Sequence, residues 1–416
     1  MSVTVSENGR EPVILSAVRT PAGRLAGALG SLSSTALGSV AVRSAVEQAG
    51  INPDSVYEVM MGHVLGAGAG QAPARQAALG GGLPNTVGAA AINKVCGSGL
   101  KAVMMAANGI LAGEADVYVA GGMESMSQAP HLAKGVRQGR LFGDAELEDA
   151  ILHDGLWCSF QNWVMGDAAE FIARQFEVSR EEMDAFALRS HDRAAAATAA
   201  GRFAAEIVPV EIKGHKGKVT IVDRDEPVRA KYDNGSYALT TSADLLGQLR
   251  PVFAADGMVT AGNAPGLNDG AAAMVITSRA AAAQQGLTPM ARIVGYTHAA
   301  VDPQWLFSAP ARAIPRLLTR LGWSLDDVDL IELNEAFAAQ VLANGVDMER
   351  QGYHWNWEKV NVHGGAIALG HPLGASGARI LVTLLHALRQ HGGRRGIAAL
   401  CLGGGEAVAL AVELVN

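Results

Sequence analysis

Four short apolar runs punctuate the first 120 residues: Val13–Ala17, Val56–Met61, Ala89–Val95 and Val117–Ala120. Each reads as a strand. Between them lie stretches of helical spacing. Leu37, Val40, Ala41, Ala45 and Val46 share one face, and the run stops at Gly50. Ala74–Leu79 forms a shorter helix before Gly80, Gly81 and Gly82, and Leu100–Leu111 a longer one without proline. Strand and helix alternate, which predicts α/β layers.

From about Ser125 to Ala254 the texture changes. Charges, tryptophans and polar turns become denser, with helical pieces at Ala168–Gln175 and Arg180–Ala200. This segment reads as an inserted domain, and its basic cluster Lys213–Lys218 as a solvated loop. Alternation returns at Met274–Thr277, and the second half echoes the first. A strand at Asp329–Leu333 ends in Asn334-Glu335, as Val56–Met61 ends in Gly62-His63. Gly374-Ala375-Ser376-Gly377 opens a helix, as Cys96-Gly97-Ser98-Gly99 does. A strand at Ala398–Leu402 ends in Gly403-Gly404-Gly405, as Val117–Ala120 ends in Gly121-Gly122. Three matched features in one order predict an internal duplication. Two such halves facing each other would bring Cys96 near Gly374 and His371.

The chain has 416 residues, enough for about two or three domains, and 49% hydrophobic residues provide for a large core. Net charge of −7 points away from nucleic acid and anionic membranes. No run of about 18 apolar residues stands out as a membrane span. The polar start Met1–Glu11 resembles no signal or transit peptide, and Glu413–Asn416 carries no recognised address. Three cysteines, Cys96, Cys158 and Cys401, are too few for a disulfide framework and fit a reducing, cytoplasmic setting.

The chemistry gathers at element ends. Cys96 precedes a helix N-terminus, where free amides and the helix dipole favour a thiolate and predict a lowered thiol pKa. The competing reading is a small buried hydrophobe. His371, held between Gly370 and Pro372, is better placed as a base than as a core residue. His363 turns a corner or stays exposed. Asn334 could cap a helix and Glu335 could be a first-turn charge. Cys401 closes an apolar strand beside bare glycine amides; it is either inert or a proton carrier next to oxyanion donors. Cys158, among Trp157, Phe160 and Trp163, reads as packing. No His/Cys spacing of the zinc type occurs, so no metal is expected.

Together these stretches resemble the thiolase family, and within it the acetyl-CoA acetyltransferase group. The resemblance rests on Asn93–Gly99, Gly121–His131, Asp256–Ala273, Asn334–Ala338, Gly364–Gly377 and Cys401–Glu406, with Arg19-Thr20-Pro21 and Gln71–Leu79 in support. It implies the thiolase fold, a duplicated five-layer αβαβα architecture. The expected division is residues 1–125 with 255–278, an inserted loop domain at 126–254, and 279–416. Cys96 is implied as the acyl-accepting nucleophile and His371 as its activator. Cys401 is implied as the acid/base for Cα and the leaving thiol. Asn334 would hold a water at the thioester oxygen, and the amides of Cys96 and Gly403 would form an oxyanion hole. CoA contacts are implied at Met165, Arg229, Ala261, Pro265, Ala336 and Phe337. Acyl-CoA and CoA enter as substrates, with no bound cofactor. A homo-oligomer of two or four chains is implied, with room for a multi-enzyme complex.

The sequence departs from the family pattern around the pocket. Val164 stands where acetoacetyl-specific members carry histidine, and Met165 remains. Pro265 replaces a serine, a second CoA-proximal serine falls at about Leu245, and Leu306–Pro310 replaces a Met-Gly-x-Gly-Pro stretch. Three alternatives follow: preference for a longer or branched 3-oxoacyl chain, an acyl-CoA-binding or scaffold protein of this fold, and a thioester hydrolase or decarboxylating condensing enzyme. Cys401 speaks against the last, which needs no second thiol.

Overall fold

The computed structural model describes residues 9–139, 142–214 and 217–415. Most of the polar start (Met1–Asn8), His215 and Lys216 of the basic cluster, and Asn416 lie outside the described residues. The principal elements in chain order are β1 (Pro12–Arg19), α1 (Ser34–Ala49), β2 (Glu58–Gly62), α2 (Pro73–Gly80), β3 (Gly88–Ile92), α3 (Ser98–Ala112) and β4 (Val117–Ser125). Then come α4 (Met165–Gln175), α5 (Arg180–Ala199), β5 (Asn268–Ser278), β6 (Ala291–Ala300), α6 (Pro310–Leu321), β7 (Leu330–Leu333), α7 (Ala338–Arg350), α8 (Leu373–His391), β8 (Arg395–Leu402) and β9 (Glu406–Leu414).

The strands run in the order β7-β8-β9-β6-β1-β5-β4-β2-β3. In the first half, β3, β2 and β4 are parallel, and β5 and β1 follow antiparallel. The second half repeats the plan. Val360 bridges β7 in parallel, β8 is parallel to β7, and β9 and β6 follow antiparallel. In each half the strands therefore lie in the order third, second, fourth, fifth, first. The halves join where β1 pairs antiparallel with β6 at Val13–Arg292 and Ile14–Ala291.

Alternation along each strand sorts side chains between layers. On β5, Ala272, Met274 and Ile276 face the central layer, while Ala271, Ala273 and Val275 face α1 and α2. On β9, Val408, Leu410 and Val412 face the centre, while Ala407, Ala409 and Ala411 face outward to α6. Helices α3 and α8 fill the centre between the two sets of strands, which gives five layers. They cross at Gly99 and Gly377; a Cβ at Gly377 would lie 2.5 Å from the Leu100 nitrogen.

Burial of most of its surface explains the composition of α3, with Lys101, Met105 and Asn108 on its less buried stripe. The segment Val95–Ala112 reaches a mean hydropathy of 1.4 over 18 residues, yet Ser98, Lys101 and Asn108 interrupt it, so it is no unbroken apolar run. It is instead the core helix of a layered fold.

Two expectations are corrected. Gly121 and Gly122 do not end a strand but lie inside β4, where the backbone of Gly374 packs directly on Gly122. Strand β3 stops at Ile92, so Cys96 is carried by a closed turn rather than by the strand end.

Candidate active site

A cleft of about 900 Å³, counting its open mouth, is lined by Cys96, His371, Cys401 and Gly403. Its other walls are almost wholly apolar. The turn carrying Cys96 is tightly bonded. Asn93 Oδ1 accepts from the Val95 amide at 3.0 Å; Ser98 Oγ accepts from the Lys94 amide at 2.8 Å and donates to the Val95 carbonyl at 2.6 Å. This network holds Val95 at φ +47°, a region that β-branched residues avoid. The backbone N–H groups of Cys96 and Gly403 each favour the charged form of the Cys96 thiol.

The thiol does not behave as its helix N-terminus suggests. The two amides pull its pKa down, but burial outweighs them, and the Glu124 carboxylate adds a smaller push upward. The thiol is raised to about 12. Cys401 is likewise raised, first by burial and then by its proximity to Cys96. The resting cleft therefore holds two neutral thiols, and Cys96 requires a base.

His371 is fixed from three directions. Its backbone amide donates to Asn268 Oδ1 at 2.9 Å. Its Nδ1 lies 2.6 Å from Ser376 Oγ, whose hydroxyl also reaches the Pro372 carbonyl at 2.9 Å. Its Nε2 lies 3.5 Å from Asn334 Nδ2. Burial lowers the imidazole pKa to about 3, with a smaller contribution from Arg379. Asn334 does not cap α7, whose N-cap is Phe337; it is buried, and its Oδ1 has no hydrogen-bond partner among the described residues. Glu335 is no first-turn charge either. Its carboxylate accepts from Ser190, Asn361 and the Ile367 amide, fastening the segment that leads to His371. His363 is buried, not exposed, with Nε2 3.1 Å from that of His391.

A nucleophile, a base, a second thiol and paired amides around one apolar cleft form a set suited to acyl transfer. The comparisons agree. The family model described as thiolase, N-terminal domain, matches residues 12–280, and that described as thiolase, C-terminal domain, matches 287–414. The chain belongs to the thiolase family. It is 50% identical over 401 residues to an acetyl-CoA acetyltransferase of Cupriavidus necator, covering 96% of this chain and 98% of that one. An acetyl-CoA acetyltransferase of Escherichia coli K12 is 49% identical over 405 residues, 97% of this chain and 99% of that one. The crystal structure of the Bacillus anthracis acetyl-CoA acetyltransferase superposes with a TM-score of 0.92 at 42% identity, covering 97% and 99% of the two chains.

In this thiolase the cleft brings together four of the six anticipated CoA contacts: Met165, Pro265, Ala336 and Phe337. Arg229 and Ala261 are not among the lining residues. They are joined to each other, Arg229 Nη2 donating to the Ala261 carbonyl at 2.6 Å. The altered positions Val164, Leu306 and Phe307 do line the cleft. Sequence reasoning missed Leu152 and Leu156 in its wall, although their four-residue spacing on Ile151–Leu156 was a usable signal. It also passed over the part of Asn268 in placing His371, which no local pattern announces.

Proposed function

We propose that this thiolase transfers an acyl group between CoA thioesters and CoA through an acyl-Cys96 intermediate. In the synthetic direction two acetyl-CoA give acetoacetyl-CoA and CoA; the reverse is thiolysis. The observation that carries this reading is that Cys96, His371, Cys401 and Gly403 line one apolar cleft.

His371 Nε2 takes the Cys96 proton as sulfur attacks the thioester carbonyl. CoA thiolate leaves and takes the proton of Cys401. The Cys401 thiolate then removes a Cα proton from the incoming acetyl-CoA. Burial, which raised that thiol's pKa, makes the thiolate a stronger base toward carbon. The enolate attacks acyl-Cys96, and the departing Cys96 thiolate recovers its proton from His371. Amide donors bear the charge on the acyl oxygen at each tetrahedral stage. Asn334, beside His371 Nε2, serves the enolate oxygen through a water.

We read residues 1–125 with 255–278 and 279–416 as the two halves and 126–254 as the inserted domain that meets CoA and other copies in a cytoplasmic homo-oligomer. CoA is substrate, with no resident cofactor. The test is CoA dependence. Acetoacetyl-CoA should yield acetyl-CoA only when free CoA is supplied; equal turnover without CoA would mean hydrolysis and overturn the reading.

A further inference from the structure

Cys96 and Gly403, which line the same cleft, belong to opposite halves of the fold. Cys96 follows β3 of the first half, and Gly403 follows β8 of the second. Neither half alone fixes their separation, so it depends on the seam between the Cys96 turn and the glycine turn. Most of that seam is contact between apolar groups and backbone. A Cβ at Gly97 would lie 2.5 Å from Leu402 Cδ2, and one at Gly403 would lie 3.3 Å from Val95 Cγ1. Such packing sets closest approach but resists sliding and opening only weakly.

One contact of another kind spans the seam. Lys94 Nζ lies 2.5 Å from Glu406 Oε2, with side chains 22% and 32% exposed. Lys94 is two residues before Cys96, and Glu406 three after Gly403. Among the described residues it is the only ion pair joining these two turns. Both ends are anchored close to their backbones. The Lys94 amide is held by Ser98 Oγ, and Glu406 opens β9 in register with Ala300 of β6. Neither side chain lines the cleft.

We propose that the Lys94–Glu406 pair is a positioning device that sets the spacing of the Cys96 and Gly403 N–H groups across the seam. It rests on the acyl-transfer reading above. Oxyanion donors act only within a narrow distance of the charge they stabilise. A shift of about 1 Å at such a site can cost about a hundredfold in rate. The pair therefore governs kcat, while substrate affinity, set by the apolar walls, is left nearly unchanged.

The test is a charge cycle on the full chain, read by steady-state thiolysis of acetoacetyl-CoA. Glu406→Gln and Lys94→Met should each lower kcat about tenfold, with KM within about twofold of wild type. The double variant should be no worse than either single, because both remove the same contact. The reversed pair, Lys94→Glu with Glu406→Lys, should recover kcat to within about threefold of wild type. Thermal melting establishes that each variant folds, and if a single variant does not, the reversed pair still decides. Single variants at wild-type kcat, additive losses, a change confined to KM, or a folded reversed pair without recovery would each overturn the positioning role. A wild type that turns over no thioester would overturn the acyl-transfer reading and this role with it.

Discussion

His371 Nδ1 faces Ser376 Oγ at 2.6 Å, five residues further along the chain. The serine's own proton is spent on the Pro372 carbonyl, which can only accept. Ser376 Oγ thus accepts from His371, the imidazole proton sits on Nδ1, and the Nε2 lone pair is left on the Asn334 side. Ser376→Ala removes this lock. The expected result is a drop in kcat of about tenfold with KM within about twofold, measured by steady-state thiolysis, because the base is then in the wrong tautomer part of the time. An unchanged kcat would mean that the tautomer is fixed by something else.

The raised Cys96 thiol has a pH signature. A thiol at about 12 is overwhelmingly protonated at neutral pH, and the imidazole lowered to about 3 is neutral, so the free enzyme holds no standing thiolate–imidazolium pair. Because the thiol pKa lies above its ordinary value, thiolate is gained only as pH rises well past neutrality. Alkylation of Cys96 by iodoacetamide should accelerate about tenfold per pH unit between pH 7 and 9. A rate that levels off below pH 8 would show a low-pKa thiolate.

The crossing of α3 and α8 can be tested with one methyl group. Glycine to alanine inside a helix ordinarily stabilises by about 0.5–1 kcal/mol. At Gly377 the added Cβ would meet the Leu100 backbone nitrogen at 2.5 Å, and backbone cannot step aside. Gly377→Ala should therefore destabilise by about 2 kcal/mol or more, seen as a lowered melting temperature. A variant as stable as wild type would contradict this account of the central layer.

The sequence made these features legible to different degrees, for physical reasons. Helix stops such as Gly50 at φ +66° are local patterns, and the structure bears them out; the duplication appears in the repeated strand order, although the run at Ala89–Val95 and the Gly121-Gly122 strand end do not hold. Glycines misled where they serve close packing rather than turning, as at Gly122 within β4. The Cys96 pKa was misjudged because the helix N-terminus is visible in sequence, whereas desolvation comes from segments hundreds of residues away. For the same reason the burial of His363, the Asn268 contact to His371 and the Lys94–Glu406 tie could not be read from spacing. Arg229 was expected at the cleft, but its bond to the Ala261 carbonyl depends on how two loops meet.

The central claim is that Cys96 carries the acyl group. Enzyme mixed with acetyl-CoA in the absence of free CoA, quenched in acid and digested, should yield the Cys96 peptide bearing one acetyl group by mass spectrometry. Cys96→Ser should yield none on that peptide and should lose thiolysis, while Cys158→Ser should retain both adduct and activity. Acetyl found on Cys401 or Cys158 instead, or a turning-over enzyme with unmodified Cys96 under trapping conditions, would contradict the account.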